Sequence, residues 1–217
     1  MTHRVIAIDG PAASGKGTLA RKIAEILNYA HLDTGALYRA VANILLMAGH
    51  NPADEEQAIL AAHTLKETLQ PKDLDNPRLR EDDVGAAASK VAAIQKVRDI
   101  LFNLQRAFAK APKEGYAGCV LDGRDIGTVI CPEADFKLFV TADDEIRAKR
   151  RHKELQSRDI AVTYDAVLTD MRERDKRDST RGSAPMKPAE DALILDTSDL
   201  SADEALEEAL AYINKNA

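Results

Sequence analysis

Short, continuous apolar runs alternate along the chain with longer stretches in which apolar residues recur every three or four positions. Continuous runs are typical of strands buried on both faces of a parallel sheet, and the recurring pattern is typical of helices. Five such runs lie at 4–8, 31–33, 119–122, 136–140 and 192–196. The alternation predicts an α/β fold of three layers, α/β/α, with helices on both faces of a five-stranded parallel sheet.

The helical pattern predicts seven helices between or after these strands. It is strongest at 84–109, where we predict one long helix because six apolar residues follow one another at three- or four-residue steps. These are Val91, Ile94, Val97, Leu101, Leu104 and Phe108. The segment 71–83 is polar and contains two prolines, so we predict an irregular loop there. The remaining helices are predicted at 16–27, 36–48, 54–69, 143–156, 164–177 and 202–213.

The composition argues against several classes of protein. The chain has 217 residues, the size of one domain, with a net charge of −6, 4% aromatic residues and no Trp. An acidic surface repels a phosphate backbone and few rings are present to stack bases, so we expect no nucleic-acid partner. No apolar run reaches the length of a membrane span and no signal-peptide pattern is present. We therefore expect no membrane partner and a cytoplasmic location, which the presence of only two cysteines, Cys119 and Cys131, also favours.

A glycine-rich segment between the first strand and the first helix fits the spacing of a phosphate-binding loop. Glycines allow backbone N–H groups to converge on phosphate oxygens, and the helix N-terminus adds positive potential. Lys16 can reach between the β- and γ-phosphates, and Thr18 carries the hydroxyl that could bind Mg²⁺. We expect nine consecutive residues to bind ATP: Gly10, Pro11, Ala12, Ala13, Ser14, Gly15, Lys16, Gly17 and Thr18.

A second candidate segment follows the second strand, with Asp-Thr-Gly-Ala-Leu-Tyr-Arg at 33–39. Its last residue, Arg39, is placed on the first turns of the next helix, where its guanidinium could bind an anionic group near Lys16. An arginine on the protein surface with no ligand is the alternative.

A third candidate segment follows the third strand, with Asp-Gly-Arg-Asp-Ile-Gly-Thr at 122–128. Open α/β sheets bind ligands at the carboxyl ends of their strands, and Asp122 lies at such an end, where it could hold a magnesium-bound water. Arg124 and Asp125 offer a hydrogen-bond donor next to an acceptor. A structural ion pair within a turn is the alternative.

Basic residues concentrate at 145–181, which holds eleven of the 30 Lys and Arg of this acidic chain. One interpretation is a solvated helix pair, in which Glu154, Glu173, Asp175 and Asp178 pair with bases on the same face. The other is a mobile lid over the triphosphate that excludes water, with Arg150 among its ATP-binding residues. The eleven are Arg147, Lys149, Arg150, Arg151, Lys153, Arg158, Arg172, Arg174, Lys176, Arg177 and Arg181.

These segments occur in an order that resembles the bacterial cytidylate kinases, a branch of the nucleoside monophosphate kinases, from about residue 4 to 215. Ala-Ser-Lys-Val-Ala at 88–92, Val97-Arg98, and Arg174-Asp175 through Arg181 belong to the same resemblance. It implies a phosphate-loop NTPase architecture with a monophosphate-binding insert and a helical lid. The single kinase domain would have its core at about 1–48, 110–145 and 188–217, the insert at 49–109 and the lid at 146–187.

The resemblance also implies roles for individual residues. Lys16, Arg124, Arg174 and Arg181 would be catalytic, and Asp122 would hold Mg²⁺ through water and lie in the CMP site. Arg39 and Arg124 would clamp the phosphate of CMP, while Ser89, Arg98 and Asp125 would bind the cytosine edge. Arg174 and Asp178 would hold the ribose, and Thr34 would supply a hydroxyl where relatives more often have Ser.

The implied reaction transfers the γ-phosphoryl group of ATP to CMP, and to dCMP, in a monomer that uses Mg²⁺. The acceptor oxygen is already ionised near neutral pH, so positioning and charge neutralisation suffice without a general base. An ionised Asp125 accepts from cytosine N4, whereas uracil would place an acceptor against it. A kinase for UMP or AMP is the nearest alternative, and a non-catalytic nucleotide-binding module is a second. A nucleic-acid role is a third, which the charge disfavours.

Overall fold

A computed structural model describes residues 3–111 and 114–216 and contains five strands and eight α-helices in that part of the chain. The strands are β1 (Arg4–Asp9), β2 (Tyr29–Asp33), β3 (Gly118–Gly123), β4 (Phe136–Thr141) and β5 (Leu193–Asp196). The helices are α1 (Lys16–Leu27), α2 (Thr34–Met47), α3 (Glu55–Thr68), α4 (Asp82–Val91), α5 (Gln95–Lys110), α6 (Asp144–Gln156), α7 (Tyr164–Thr180) and α8 (Ala202–Lys215).

The strands form one five-stranded sheet in the order β2-β3-β1-β4-β5, which confirms the predicted α/β class. β1 lies in the middle and pairs in parallel with β3 and β4, and β4 pairs in parallel with β5. The register places the last residue of β1, Asp9, opposite Gly123 of β3 and Phe139 of β4. The loops that follow β1 and β3 therefore leave the sheet from the same row of residues.

The chain divides into two compact units, each with its own buried side chains. One is formed by the chain up to Leu32 and after Ala111, and the other by Asp33–Ala111. In the first, α1 and α8 cover the sheet, and fully buried Ile6, Ile8 and Ile23 contribute to the cluster beneath them. In the second, α2 packs against α3 and α4, and α3 packs against α5.

The predicted long helix at 84–109 is wrong, because the structure ends α4 at Val91 and begins α5 at Gln95. Ile94 has an extended backbone and precedes α5 as its N-cap residue. The guanidinium of Arg98 donates to the carbonyl of Ala92, so a side chain from α5 binds a backbone oxygen at the end of α4. Neither Gly nor Pro marks the break. The apolar residues keep a helical period across the break, so the period alone does not reveal it.

The predicted irregular loop at 71–83 is also wrong in part. Two short 3₁₀ helices occupy Pro71–Asp75 and Pro77–Arg80, and α4 already begins at Asp82. Proline suits the first position of a helix because its fixed φ is close to the helical value. Within residues 3–111 and 114–216, the helices are all too short or too polar to cross a bilayer.

Candidate active site

The loop between β1 and α1 has the backbone shape of an anion-binding nest. Ala13 and Gly15 both have left-handed φ angles, of 57° and 88°. Alternating backbone conformations of this kind turn successive N–H groups toward one concavity. Gly10 has a φ of 146°, and a Cβ built there would lie 2.0 Å from the carbonyl oxygen of Val140 in β4, so only glycine fits.

Lys16 opens α1, and its ammonium donates to the carbonyl of Pro11 in the same loop at 3.0 Å. The Lys16 side chain therefore folds back over the loop between β1 and α1. Thr18 lies on the first turn of α1, where its hydroxyl accepts from Arg21 at 3.5 Å. A cation and a hydroxyl at the N-terminus of a helix favour a phosphate ligand.

Side chains from other elements bind backbone carbonyls of the loop between β1 and α1. Arg147 of α6 is 4% exposed, and its guanidinium donates to the carbonyl of Ala12 at 3.2 Å. The hydroxyl of Thr197, after β5, donates to the carbonyl of Ser14 at 3.0 Å. Ala12 and Ala13 also pack against the apolar cluster that joins α6 to α7. The sequence analysis missed Thr197, and counted Arg147 only as part of a basic cluster.

Asp122 lies near the end of β3 and is 3% exposed. One carboxylate oxygen is 2.7 Å from the Nε2 of His31, and the other lies 3.7 Å from the position of a Cβ built on Gly17. The carboxylate is therefore beside the first turn of α1, next to the loop between β1 and α1. His31 was not predicted to take part, although its place in the second strand was.

The oxygen donors present fit a magnesium ion. Mg²⁺ prefers carboxylate and hydroxyl oxygens, keeps several waters, and binds together with substrate phosphates more often than in a cage of protein ligands. Asp122 and Thr18 offer one carboxylate and one hydroxyl near the loop. Among residues 3–111 and 114–216, the structure has no cluster of three His, Cys, Asp or Glu side chains that could hold a metal.

The segment after β3 forms a π-helical turn at Ile126–Ile130, which the sequence analysis did not predict. The carboxylate of Asp9 accepts from the N–H groups of Ile126 and Gly127, each at 2.8 Å. Burial raises the pKa of Asp9 to about 7, although the two N–H groups and Arg124 act in the opposite direction. A buried side chain at the end of β1 thus holds the start of the turn that directly follows Arg124 and Asp125.

Arg124 and Asp125 do not pair with each other; each binds a residue at or after the end of α7. The Nε of Arg124 donates to Asp178 at 3.0 Å, and Arg181 donates to Asp125 at 3.4 Å. The side chains of Asp178, Asp125 and Arg181 are almost fully buried. The ion pair anticipated within a turn is therefore replaced by two pairs between segments, which bring four predicted site residues together.

Several arginines of the basic segment, 145–181, form ion pairs with acidic side chains of the same segment. Arg147 bonds Asp175 and Asp144, both Arg151 and Arg158 bond Glu154, and Arg172 bonds Asp144. The pairs of Arg151, Arg158 and Arg172 agree with the solvated helix pair left open above, whereas the pair of Arg147 with Asp175 is largely buried. Arg150 donates to both the hydroxyl and the carbonyl of Thr197. Arg174 is half-buried on α7.

The unit formed by Asp33–Ala111 carries the remaining predicted residues. Asp33 caps α2 by accepting from Ala36, and it also accepts from Arg39 at 2.7 Å, so the cap residue holds the arginine. A Cβ on Gly35 would lie 2.8 Å from the same guanidinium, so a larger residue there would shift the Arg39 side chain. Thr34, the first residue of α2, is buried.

Two further predicted residues are buried in the same unit. Ser89 on α4 and Arg98 on α5 are each 6% exposed. The guanidinium of Arg98 lies 5.8 Å from the centre of the Tyr38 ring, within the range of a cation–π interaction. Charged and polar groups are seldom buried without a partner or a ligand.

The chain is similar to known proteins over nearly its whole length. A family model described as cytidylate kinase matches residues 6–215. The cytidylate kinase of Paramagnetospirillum magneticum is 56% identical over 96% of this chain and 97% of its own length. The cytidylate kinase of Methylocella silvestris is 55% identical over 96% of this chain and 93% of its own length.

Solved structures support the fold. An uncharacterized protein from Eubacterium ventriosum matches with a TM-score of 0.55 and 18% identity, over 98% of this chain and 99% of its own. A gluconokinase from Sinorhizobium meliloti matches with a TM-score of 0.52 and 14% identity, over 99% and 93%. At these identities the solved structures support the architecture alone, whereas the family model and the sequence relatives identify the family. The chain belongs to the cytidylate kinases.

Proposed function

We propose that this chain transfers the γ-phosphoryl group of ATP to CMP, giving ADP and CDP, and that it also accepts dCMP. The observation that carries the proposal is the match to cytidylate kinases over residues 6–215, which includes the phosphate-binding loop and the segment 122–128. We also propose that the chain is a monomer and that it is located in the cytoplasm. Its core lies at about 1–48, 110–145 and 188–217, its monophosphate-binding insert at 49–109 and its lid at 146–187.

The loop at Gly10–Thr18 would bind the phosphates of ATP. Its left-handed residues, Ala13 and Gly15, support this assignment, as does the position of Lys16 over the loop. Binding of the triphosphate would draw the ammonium from the carbonyl of Pro11 to the phosphate oxygens, exchanging a neutral acceptor for a charged one. Arg150 from the proposed lid would contribute to the same ligand.

The CMP-binding roles are assigned residue by residue. Arg124 would bind the phosphate of CMP, Asp125 its base, and Arg174 and Asp178 its ribose. Arg39 would also bind the phosphate, Ser89 and Arg98 would bind the base, and Thr34 would offer its hydroxyl. Because Arg124 and Asp178 are bonded to each other, we expect CMP to replace that bond. Asp122 would also take part in binding CMP.

The chemistry requires no proton transfer by a side chain. The attacking oxygen of CMP is already largely ionised at neutral pH, so the protein's task is to align it with the γ-phosphorus and to neutralise charge. Lys16, Arg124, Arg174 and Arg181 would supply that positive charge. Thr18 and, through a water, Asp122 would hold Mg²⁺, which when bound neutralises charge on the phosphates.

Specificity for cytosine follows from the acceptor character of Asp125. Its carboxylate would accept from the N4 amino group of cytosine, and UMP would place a carbonyl oxygen against the same charge. A buried charge facing an acceptor loses its hydrogen bond and keeps its desolvation cost, so discrimination could reach about 10⁴-fold. Discrimination between CMP and dCMP depends on one hydroxyl, and we expect it to be weak.

A panel of acceptors tests the proposal. The purified chain is mixed with ATP, Mg²⁺ and one of CMP, dCMP, UMP or AMP at equal concentration, and ADP release is measured. CMP and dCMP should give the highest kcat/KM. Higher kcat/KM with UMP or AMP would identify a kinase for that nucleotide. No acceptor-dependent ADP release, together with tight ATP binding, would instead identify a binding module.

A further inference from the structure

Thr197 lies directly after β5 and meets three other segments of the same unit. It is 4% exposed. Its hydroxyl accepts from Arg150 of α6 at 3.0 Å, and the carbonyl of Thr141, at the end of β4, accepts the backbone N–H of Thr197 at 2.9 Å. The carbonyl of Ser14 lies 3.0 Å from the hydroxyl, against 3.1 Å for the carbonyl of Thr141. The carbonyl of Thr141 already accepts from the backbone N–H of Thr197, whereas no other donor to the carbonyl of the buried Ser14 is found among the described residues, so we assign the hydroxyl proton to Ser14.

This hydrogen bond fixes the orientation of a peptide unit in the phosphate-binding loop. A trans peptide is planar, so its carbonyl and its N–H point in opposite directions. When Thr197 holds the carbonyl of Ser14, the N–H of Gly15 is turned the other way. Gly15 has a φ of 88° and carries no side chain to resist rotation of this peptide, so an external contact is needed to hold it.

A second hydrogen bond of this kind lies two residues earlier in the loop, where the guanidinium of Arg147 donates to the carbonyl of Ala12. That contact turns the N–H of Ala13, which has a φ of 57°, in the same manner. Alternate carbonyls are thus bound on the side of the loop that faces α6 and β5. The N–H groups of the same two peptide units, those of Ala13 and Gly15, point away from that side of the loop.

We propose that Thr197 is a positioning residue for ATP, because its hydroxyl holds the Ser14–Gly15 peptide in the orientation that binds phosphate. The same hydroxyl accepts from Arg150, so it also sets where an arginine of the proposed lid lies relative to the loop. This inference rests on the proposed function, in which the loop binds the donor nucleotide. It assigns Thr197 no contact with CMP.

Three variants separate this role from simple packing. Thr197→Val keeps the shape and removes the hydroxyl, whereas Thr197→Ser keeps the hydroxyl and removes a methyl group. Ser198→Ala is the matched control, because the hydroxyl of Ser198 belongs to the same segment but bonds Asp196 and the N–H of Asp143. Thr197→Ala replaces the valine variant if that protein does not fold.

The dissociation constants of a fluorescent ATP analogue and of CMP are measured for the full chain, with KM for each substrate and the Tm. Thr197→Val should bind the ATP analogue about tenfold more weakly, which corresponds to the loss of one buried hydrogen bond. Its affinity for CMP should change by less than about twofold. Thr197→Ser and Ser198→Ala should both stay within about twofold of wild type for ATP.

Three results would overturn the inference, and two of them concern the ATP analogue alone. One is wild-type affinity of Thr197→Val for the ATP analogue, and the other is equal loss of affinity for ATP in the valine and serine variants, which would implicate packing. A wild-type chain that itself fails to bind the analogue would instead refute the proposed function. Equal weakening for ATP and CMP would show a general loss of structure and would also count against a positioning role.

Discussion

Asp9 shows how a single buried carboxyl group can organise a site that it does not touch. It accepts two backbone N–H groups from the turn after β3, and burial raises its pKa to about 7. In the unfolded chain the same group ionises near 3.8. The folded state therefore binds this proton more tightly, and unfolding releases it at intermediate pH.

From this difference we predict how stability depends on pH. Because the folded chain holds more protons between about pH 4 and pH 7, the contribution of Asp9 to the free energy of unfolding falls as the pH rises through that window. Urea unfolding of wild type and Asp9→Asn at pH 5 and pH 8 measures this contribution. The advantage of wild type over the variant should shrink by about 3 kcal/mol between the two values. A constant difference would contradict the raised pKa.

Lys16 provides a second prediction at the scale of the residue. Lys16→Ala should lower kcat by about 10²- to 10³-fold or more, because a preorganised cation near the transferred group is lost. The far-ultraviolet circular dichroism and the Tm should remain close to those of wild type, since the side chain of Lys16 is only partly buried at the start of α1. Near-normal turnover would remove Lys16 from the phosphate site.

Asp125 tests recognition of the base. Asp125→Ala should lower kcat/KM for CMP by about 10²-fold and leave KM for ATP within about twofold, because CMP is the substrate that loses a hydrogen-bond partner. Removal of the carboxylate also leaves Arg181 without the partner it has here at 3.4 Å, so the Tm is measured in parallel. Unchanged kcat/KM for CMP would exclude Asp125 from base recognition.

At the scale of the element, local sequence signals were sufficient to predict those helices, strands and loops whose conformation depends on their own residues. The five apolar runs predicted the five strands, and α1 has the predicted bounds, 16–27. The glycine and lysine spacing also predicted the loop between β1 and α1. These features depend on backbone conformation and on hydrophobic period, which a short window of sequence contains.

Elements that depend on distant contacts could not be predicted in this way. The break between α4 and α5 involves the guanidinium of Arg98 at the carbonyl of Ala92, and the turn after β3 depends on Asp9, more than a hundred residues earlier. The pair of Arg124 and Asp178 is separated by 54 residues. A hydrophobic pattern contains no information about which charges meet across such distances.

The N-terminus of α8 gives a prediction about an element alone. Ser201 accepts from the N–H of Glu204, and the Glu204 side chain accepts in return from the N–H of Ser201, which lowers the pKa of that carboxyl. Ser201→Ala should lower the free energy of unfolding by about 1 kcal/mol in urea titrations. KM for ATP and CMP should not change, and a shift of either beyond about twofold would show that α8 influences the site.

At the scale of the whole molecule, ligands should stabilise the fold through mass action. ATP at 100 times its dissociation constant should add about 2.7 kcal/mol, which for a chain of this size corresponds to roughly 5–10 °C in Tm. Thermal denaturation of wild type with ATP, with CMP and with neither measures the shifts.

Lys16→Ala is the control for the same experiment. It should lose most of the shift caused by ATP and keep the shift caused by CMP, because the lysine contacts only the donor in the proposed function. Loss of both shifts in this variant would place Lys16 in a site shared by the two nucleotides. Sedimentation of the same samples would test the proposed monomer.

The register of the central strands has a consequence for insertions and deletions. Asp9 and Gly123 are partners in the ladder, and the loops proposed to carry donor and acceptor both start at that row. A one-residue deletion within β1 would draw one loop back by about 3.3 Å while the other stayed in place. In-line displacement tolerates an error of roughly 1 Å before rates fall by about 100-fold. The register of β1 against β3 would therefore set the distance between donor and acceptor. Length changes in β1 should lower kcat far more than most substitutions within the strand.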